Sequence, residues 1–224
     1  MPFPGTFPVG LFAGAASLTL SQVLSATDAS GAAFTLPNGI QAGDLIVVLD
    51  YAVSPASIPT AVTPAGFTND INVNDGVFCR MMLSHKIADG SEGGTSVSGM
   101  DGGDGEGKLT YVFRGNRPIV SATVLDTAGQ VTNGDPSAQV VNVSGVAASL
   151  IVIGGYACGT AAVSPRNFDT VKDGEINVSP TIGGGSGDIW LAYKVYNFSP
   201  ADSTIDMGDE GSLNGLVSCY IACA

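Results

Sequence analysis

Two stretches of this chain run through the same motifs in the same order, and that repetition limits the folds open to it. Residues 45–115 contain LIVVLDYA, AVTPAGFT, RMMLSHKIAD and TSVSGMDGGDGEGKLTYVFRG. Residues 150–223 contain LIVIGGYA, AAVSPRNFDT, IWLAYKVYN and STIDMGDEGSLNGLVSCYIAC. Leu45 matches Leu150, Pro64 matches Pro165, Lys86 matches Lys194 and Met100 matches Met207. The spacing drifts by a few residues, as it does when loops change length and strands do not. Two similar units of this size are expected to pack about a pseudo-twofold axis.

The units read as strands. Leu18 and Leu20 alternate with Thr19 and Ser21, and AAFTL at 32–36 is a short strand before the turn PNGIQAGD. Residues 45–53 are apolar almost throughout, so both faces of that strand are expected to be covered. Pro64 and Gly66 set a turn at 62–67, and a long strand follows over 77–88 whose inward set is Phe78, Arg80 and Met82 or the more apolar Val77, Cys79, Met81 and Leu83. A short strand is expected near 95–98, and KLTYVFR at 108–114 closes the unit. The second unit repeats the order at 150–157, 168–171, 189–196, 203–205 and 216–221. No stretch carries apolar residues at helical spacing free of Gly, Pro or β-branched residues. The expected class is all-β, a β-sandwich of jelly-roll-like form built from two pseudo-twofold related repeats. Residues 1–15 form an N-terminal arm and 16–224 one domain, with repeat one at 38–115, bridging strands at 116–148 and repeat two at 149–224.

Composition narrows the partners. The net charge is −12 with only 8 Lys and Arg, none clustered, which argues against a nucleic-acid partner and an anionic membrane surface. Charged residues make up 12 % and hydrophobic ones 45 %, unlike a disordered chain. The apolar runs are strand-length, too short for a membrane-spanning helix. The N-terminal stretch resembles an export signal but lacks a basic start and holds Pro2, Pro4 and Pro8, so it reads as an ordered arm. Its Phe3, Phe7 and Phe12 need burial, in their own domain or against a neighbouring subunit. Cys79, Cys158, Cys219 and Cys223 read as reduced and buried. Sequons at Asn142, Asn177 and Asn197 carry little weight.

No catalytic constellation stands out, and the chain reads as a non-enzyme. The one histidine, His85, matches Tyr193 in the repeat, which favours a structural ring. No nucleophile elbow is present. GGGSG at 183–187 lacks the Lys-Ser/Thr of a phosphate loop and reads as a hairpin loop. No cofactor is expected. Asp101, Asp104 and Glu106 in one glycine-rich turn, and Asp206, Asp209 and Glu210 in the matching one, offer hard oxygen ligands suited to Ca²⁺, against the plainer reading of acidic surface turns. Trp190, Tyr51, Tyr156 and Tyr196 are the candidate ligand aromatics, against the plainer reading of core residues.

The pattern GDLIVVLDYA, TPAGFT, MMLSHKIAD, TSVSG and LTYVFRG resembles a recurrent domain of tailed-bacteriophage structural proteins, over most of residues 38–224. Its elements fall at 43–52, 64–68, 86–88 and 111–115, with Phe67 where that domain usually has Trp. The resemblance implies a non-enzymatic virion structural protein, associated with the tail tip, a tail fibre or the head surface, acting in assembly or host attachment. It implies virion localisation, other virion proteins as partners, homo-oligomers with Phe3, Phe7 and Phe12 at the subunit contact, and no catalytic residues. The alternatives are a carbohydrate- or receptor-binding module, meeting a host surface glycan or receptor, and a capsid decoration protein.

Overall fold

The structure is a computed structural model. It describes residues 18–29, 31–103, 105–132, 139–141, 149–158, 173–182, 185–196, 203–205 and 214–223. These residues are all-β, with antiparallel pairing throughout and no helix. Accordingly, none of them forms a helix long and apolar enough to cross a membrane.

The strands are β1 (Leu20–Asp28), β2 (Ala33–Thr35), β3 (Leu45–Val53), β4 (Thr68–Asn74), β5 (Cys79–Ile87), β6 (Ser96–Ser98) and β7 (Gly105–Gly115). They continue with β8 (Ala122–Thr132), β9 (Gln139–Val141), β10 (Ser149–Cys158), β11 (Gly174–Val178), β12 (Thr181–Ile182) and β13 (Gly185–Ser186). The last are β14 (Asp188–Tyr196), β15 (Ser203–Ile205) and β16 (Asn214–Cys223). One five-stranded sheet has the order β1-β7-β3-β5-β4, and the other β8-β16-β10-β14-β11. Smaller pairs form between β2 and β6, β9 and β15, and β12 and β13.

Both five-stranded sheets contribute to one apolar core. Leu45, Val47, Leu49, Tyr51, Leu109, Tyr111 and Phe113 from the first meet Ile151, Ile153, Ile189, Leu191, Tyr193, Val217 and Ile221 from the second. Every residue of β3 is buried because its other face is covered too. There Ile46, Val48 and Val112 meet Phe34, Leu36, Ile40 and Ala88, and Ala52 meets Met82 and Met100. The β2–β6 pair and its loops therefore form a third layer over the first sheet.

Glycines let the two sheets interlock. A Cβ on Gly155 would stand 2.7 Å from Leu49 Cδ1 and 3.0 Å from Val217 Cγ2. Leu49 thus presses into the second sheet at a site where only glycine leaves room. The reciprocal fit is at Gly107, whose missing side chain makes way for Ile189 and Val178. At one edge β4 packs against β8, where Gly129 admits Ile71 and Val73.

Several expectations need correction. Val77 does not belong to the inward set of β5: it is 50 % exposed in a turn that Asp75 organises, and the inward set begins at Cys79. The polar strand β4 lies at the sheet edge, between the turn expected at 62–67 and the strand expected at 77–88, where no element is expected. Residues 116–148, read as a bridge, supply β8 to the second sheet. The strand expected at 168–171 lies outside the described residues, and β11 follows it.

Candidate functional site

A charged pair lies under the third layer. Asp50 and Lys108 stand directly opposite each other on β3 and β7. Their neighbours Leu49, Tyr51 and Leu109 point into the core, so alternation turns this pair toward the covering loops. The Lys108 side chain is fully buried. Its Nζ donates to the Gly31 carbonyl at 2.7 Å and the Met100 carbonyl at 2.8 Å, and lies 3.9 Å from Asp50 Oδ1. Asp50 Oδ2 accepts the Met100 N–H at 2.7 Å. Asp50 Oδ1 is buried and accepts no hydrogen bond.

Glu106, two residues before Lys108 and on the same face of β7, completes the cluster. Its Oε1 accepts the Gly31 N–H and its Oε2 the Gly102 N–H at 3.1 Å. Burial pushes the Asp50 carboxyl up to about 7; Lys108 and the Met100 N–H oppose the rise and the Glu106 charge adds to it. A neutral acid is what an enclosed carboxyl favours when its partner holds it at 3.9 Å rather than in a hydrogen bond. The approach is so close that a Cβ on Gly99 would lie 2.8 Å from both Asp50 Oδ2 and Lys108 Cε. These three side chains fasten the loops around Gly31 and Met100 to the sheet.

Other charged groups do similar work. Arg114 grips Asp44 with two parallel bonds, Nε to Oδ1 at 2.9 Å and Nη2 to Oδ2 at 2.7 Å, and also donates to the Gly39 carbonyl. His85 meets Asp70 through Nδ1 at 2.7 Å, which gives the ring a structural partner. Lys86 pairs with Glu92 at 2.6 Å, and Lys194 with Asp173 at 2.9 Å.

An open cleft of about 480 Å³ lies beside β1, lined by Thr19 to Val23, Asp173, Tyr193 and Val195. Tyr193 joins Tyr111 and Phe113 behind it, edge-on to each ring at 4.9 Å between centroids. Gln22, Asp173 and the Thr19 and Ser21 hydroxyls give the cleft a polar rim around an aromatic floor.

The expected site residues separate. Tyr51 is completely buried in the core and is no ligand platform. Trp190 lies on the outward side of β14, half-buried, with an Nε1 that has no acceptor. Tyr156 lies opposite Trp190 on β10, and Tyr196 ends β14 half-buried. Asp101 is exposed, whereas Glu106 turns inward with both oxygens taken by backbone N–H groups, so the two do not converge as Ca²⁺ ligands. Asp104, Asp206, Asp209 and Glu210 lie outside the described residues, as do Phe3, Phe7 and Phe12. Among the described residues no group of three His, Cys, Asp or Glu could hold a metal ion. Cys79 and Cys223 are free and buried.

Asp50 and Lys108 are absent from the sequence reading. Their signal was a carboxylate inside an apolar run expected to be covered on both faces, since such a group requires a partner. No family model, curated protein or solved structure matches the chain.

Proposed function

We propose that this protein is a non-enzymatic structural module of a tailed-bacteriophage virion, placed at the tail tip, a tail fibre or the head surface, and serving assembly or host attachment. The observation that carries the reading is the use of charge. Asp50 with Lys108, Asp44 with Arg114 and Glu92 with Lys86 all join loops to strands or strands to each other. That is the economy of a rigid building block. The resemblance over residues 38–224 points the same way.

The chain reads as two related halves, jelly-roll-like in form. Identical strand order in the two large sheets supports this, as does the pairing of β2 with β6 and of β9 with β15. In this reading the copies form a symmetric oligomer, with the arm around Phe3, Phe7 and Phe12 against a neighbour. Mass spectrometry and immunogold microscopy of purified particles test the proposal, and absence of the protein from the particles would overturn it. Deleting residues 2–15 should abolish incorporation while leaving the domain folded.

One observation favours a second reading, a carbohydrate- or receptor-binding module. The cleft sets Tyr193 below Gln22 and Asp173, an aromatic floor with polar groups at its edge. A glycan array without hits, together with unchanged attachment of a Tyr193→Ala particle, would remove it.

A further inference from the structure

We propose that Lys108 and Asp50 join covalently, through an amide between Lys108 Nζ and Asp50 Cγ formed by the folded chain itself.

The geometry assigns each atom a part. Passing one Nζ proton to the Asp50 carboxylate leaves an amine with two N–H bonds, and two carbonyls, Gly31 and Met100, are there to accept them. The lone pair is left for the third neighbour of Nζ, which is the Asp50 carboxyl. Asp50 Oδ2 is held by the Met100 N–H at 2.7 Å, a donor placed where negative charge develops when the carbonyl is attacked. Asp50 Oδ1 has no hydrogen-bond partner and is the oxygen free to leave. Burial shifts the Asp50 carboxyl toward its protonated form, and the charge of Glu106 assists.

The step balances without a co-reactant. The N–C bond forms and the C–Oδ1 bond breaks. One proton from Nζ joins the Oδ1 hydroxyl, and water departs. No group changes oxidation state. Glu106 is a positioning residue: it holds the Gly31 and Gly102 backbone that closes the site. Both reactants come from rigid neighbouring strands already in register, so little ordering remains to be done. A dry site also favours the uncharged amide, because an ion pair kept there must forgo the hydration of two charges.

Intact-mass spectrometry of the denatured full-length chain tests this. The expected mass is one water below that of the sequence, and a proteolytic digest should yield a branched peptide joining the segments that hold Lys108 and Asp50. Lys108→Arg should restore the full mass. Asp50→Asn should still cross-link, now losing ammonia in place of water. Glu106→Gln should slow bond formation at least tenfold after refolding. A wild-type chain of full sequence mass, folded by circular dichroism, would overturn the proposal. So would a water loss that persists in Lys108→Arg and maps to an aspartyl-glycine step such as Asp89–Gly90 or Asp101–Gly102.

Discussion

The contact between Leu49 and Gly155 offers the most direct measure of how the two sheets meet. Leu49 is fully buried, so Leu49→Ala should cost about 2–5 kcal/mol in lost burial and residual cavity. Gly155→Ala alone would drive a methyl group to 2.7 Å from Leu49 Cδ1 and 2.8 Å from Cδ2. Overpacking of that kind costs about 1–3 kcal/mol, and the entropy advantage of alanine over glycine in a strand returns about 0.5–1 kcal/mol. In the double variant the added methyl takes up space that the leucine vacated. Its loss should therefore fall roughly 1–2 kcal/mol short of the sum of the single losses. Urea unfolding followed by circular dichroism supplies the values, with unchanged slopes as the condition for comparing them. Single effects that add to within about 0.5 kcal/mol would refute the reasoning, because residues without a shared contact behave that way.

Three further outcomes are expected. Arg114→Lys should lower stability by about 1–2 kcal/mol, since an ammonium cannot reproduce the two parallel bonds to the buried Asp44 carboxylate; an unchanged melting temperature would contradict this. Asp75 Oδ1 accepts the N–H groups of Val77, Phe78 and Cys79, and although desolvation opposes them these bonds hold its carboxyl below the usual range. Such a group lends stability above its unfolded value near pH 4, lost as pH falls further, so Asp75→Asn should show a shallower acid decline together with a loss of about 1 kcal/mol at pH 7. Burial pushes the thiols of Cys79 and Cys223 up to about 12, with the Asp75 charge adding at Cys79. Iodoacetamide at pH 8 should leave both unmodified in the folded protein and modify both in urea, as mapped by peptide mass spectrometry.

What the sequence disclosed depended on how strongly each strand is buried. β3 was plain, because a strand covered on both faces is a continuous apolar run. β4 escaped notice because TNDINVN turns only Ile71 and Val73 toward the core and leaves its polar residues at the sheet edge. Val77 was misplaced because alternation was extended through a turn that Asp75 closes locally. The Asp50–Lys108 site was half legible. The aspartate interrupts an apolar run, but only the antiparallel register of β3 and β7 reveals the lysine opposite it. The cleft beside β1 was illegible, since Gln22, Asp173 and Tyr193 come from distant parts of the chain.

The shared core has a consequence for the integrity of the polypeptide. Neither large sheet owns an interior: Leu49 and Phe113 are shielded by side chains supplied from beyond residue 150, and Ile189 and Val217 by side chains from before residue 115. Severing the connection near residue 118 would leave each fragment with a bare apolar wall. Such a fragment has two fates, aggregation or capture of another wall of the same curvature. The linker that joins the sheets thus acts chiefly as a tether, keeping each wall's rightful cover at high local concentration from synthesis onward.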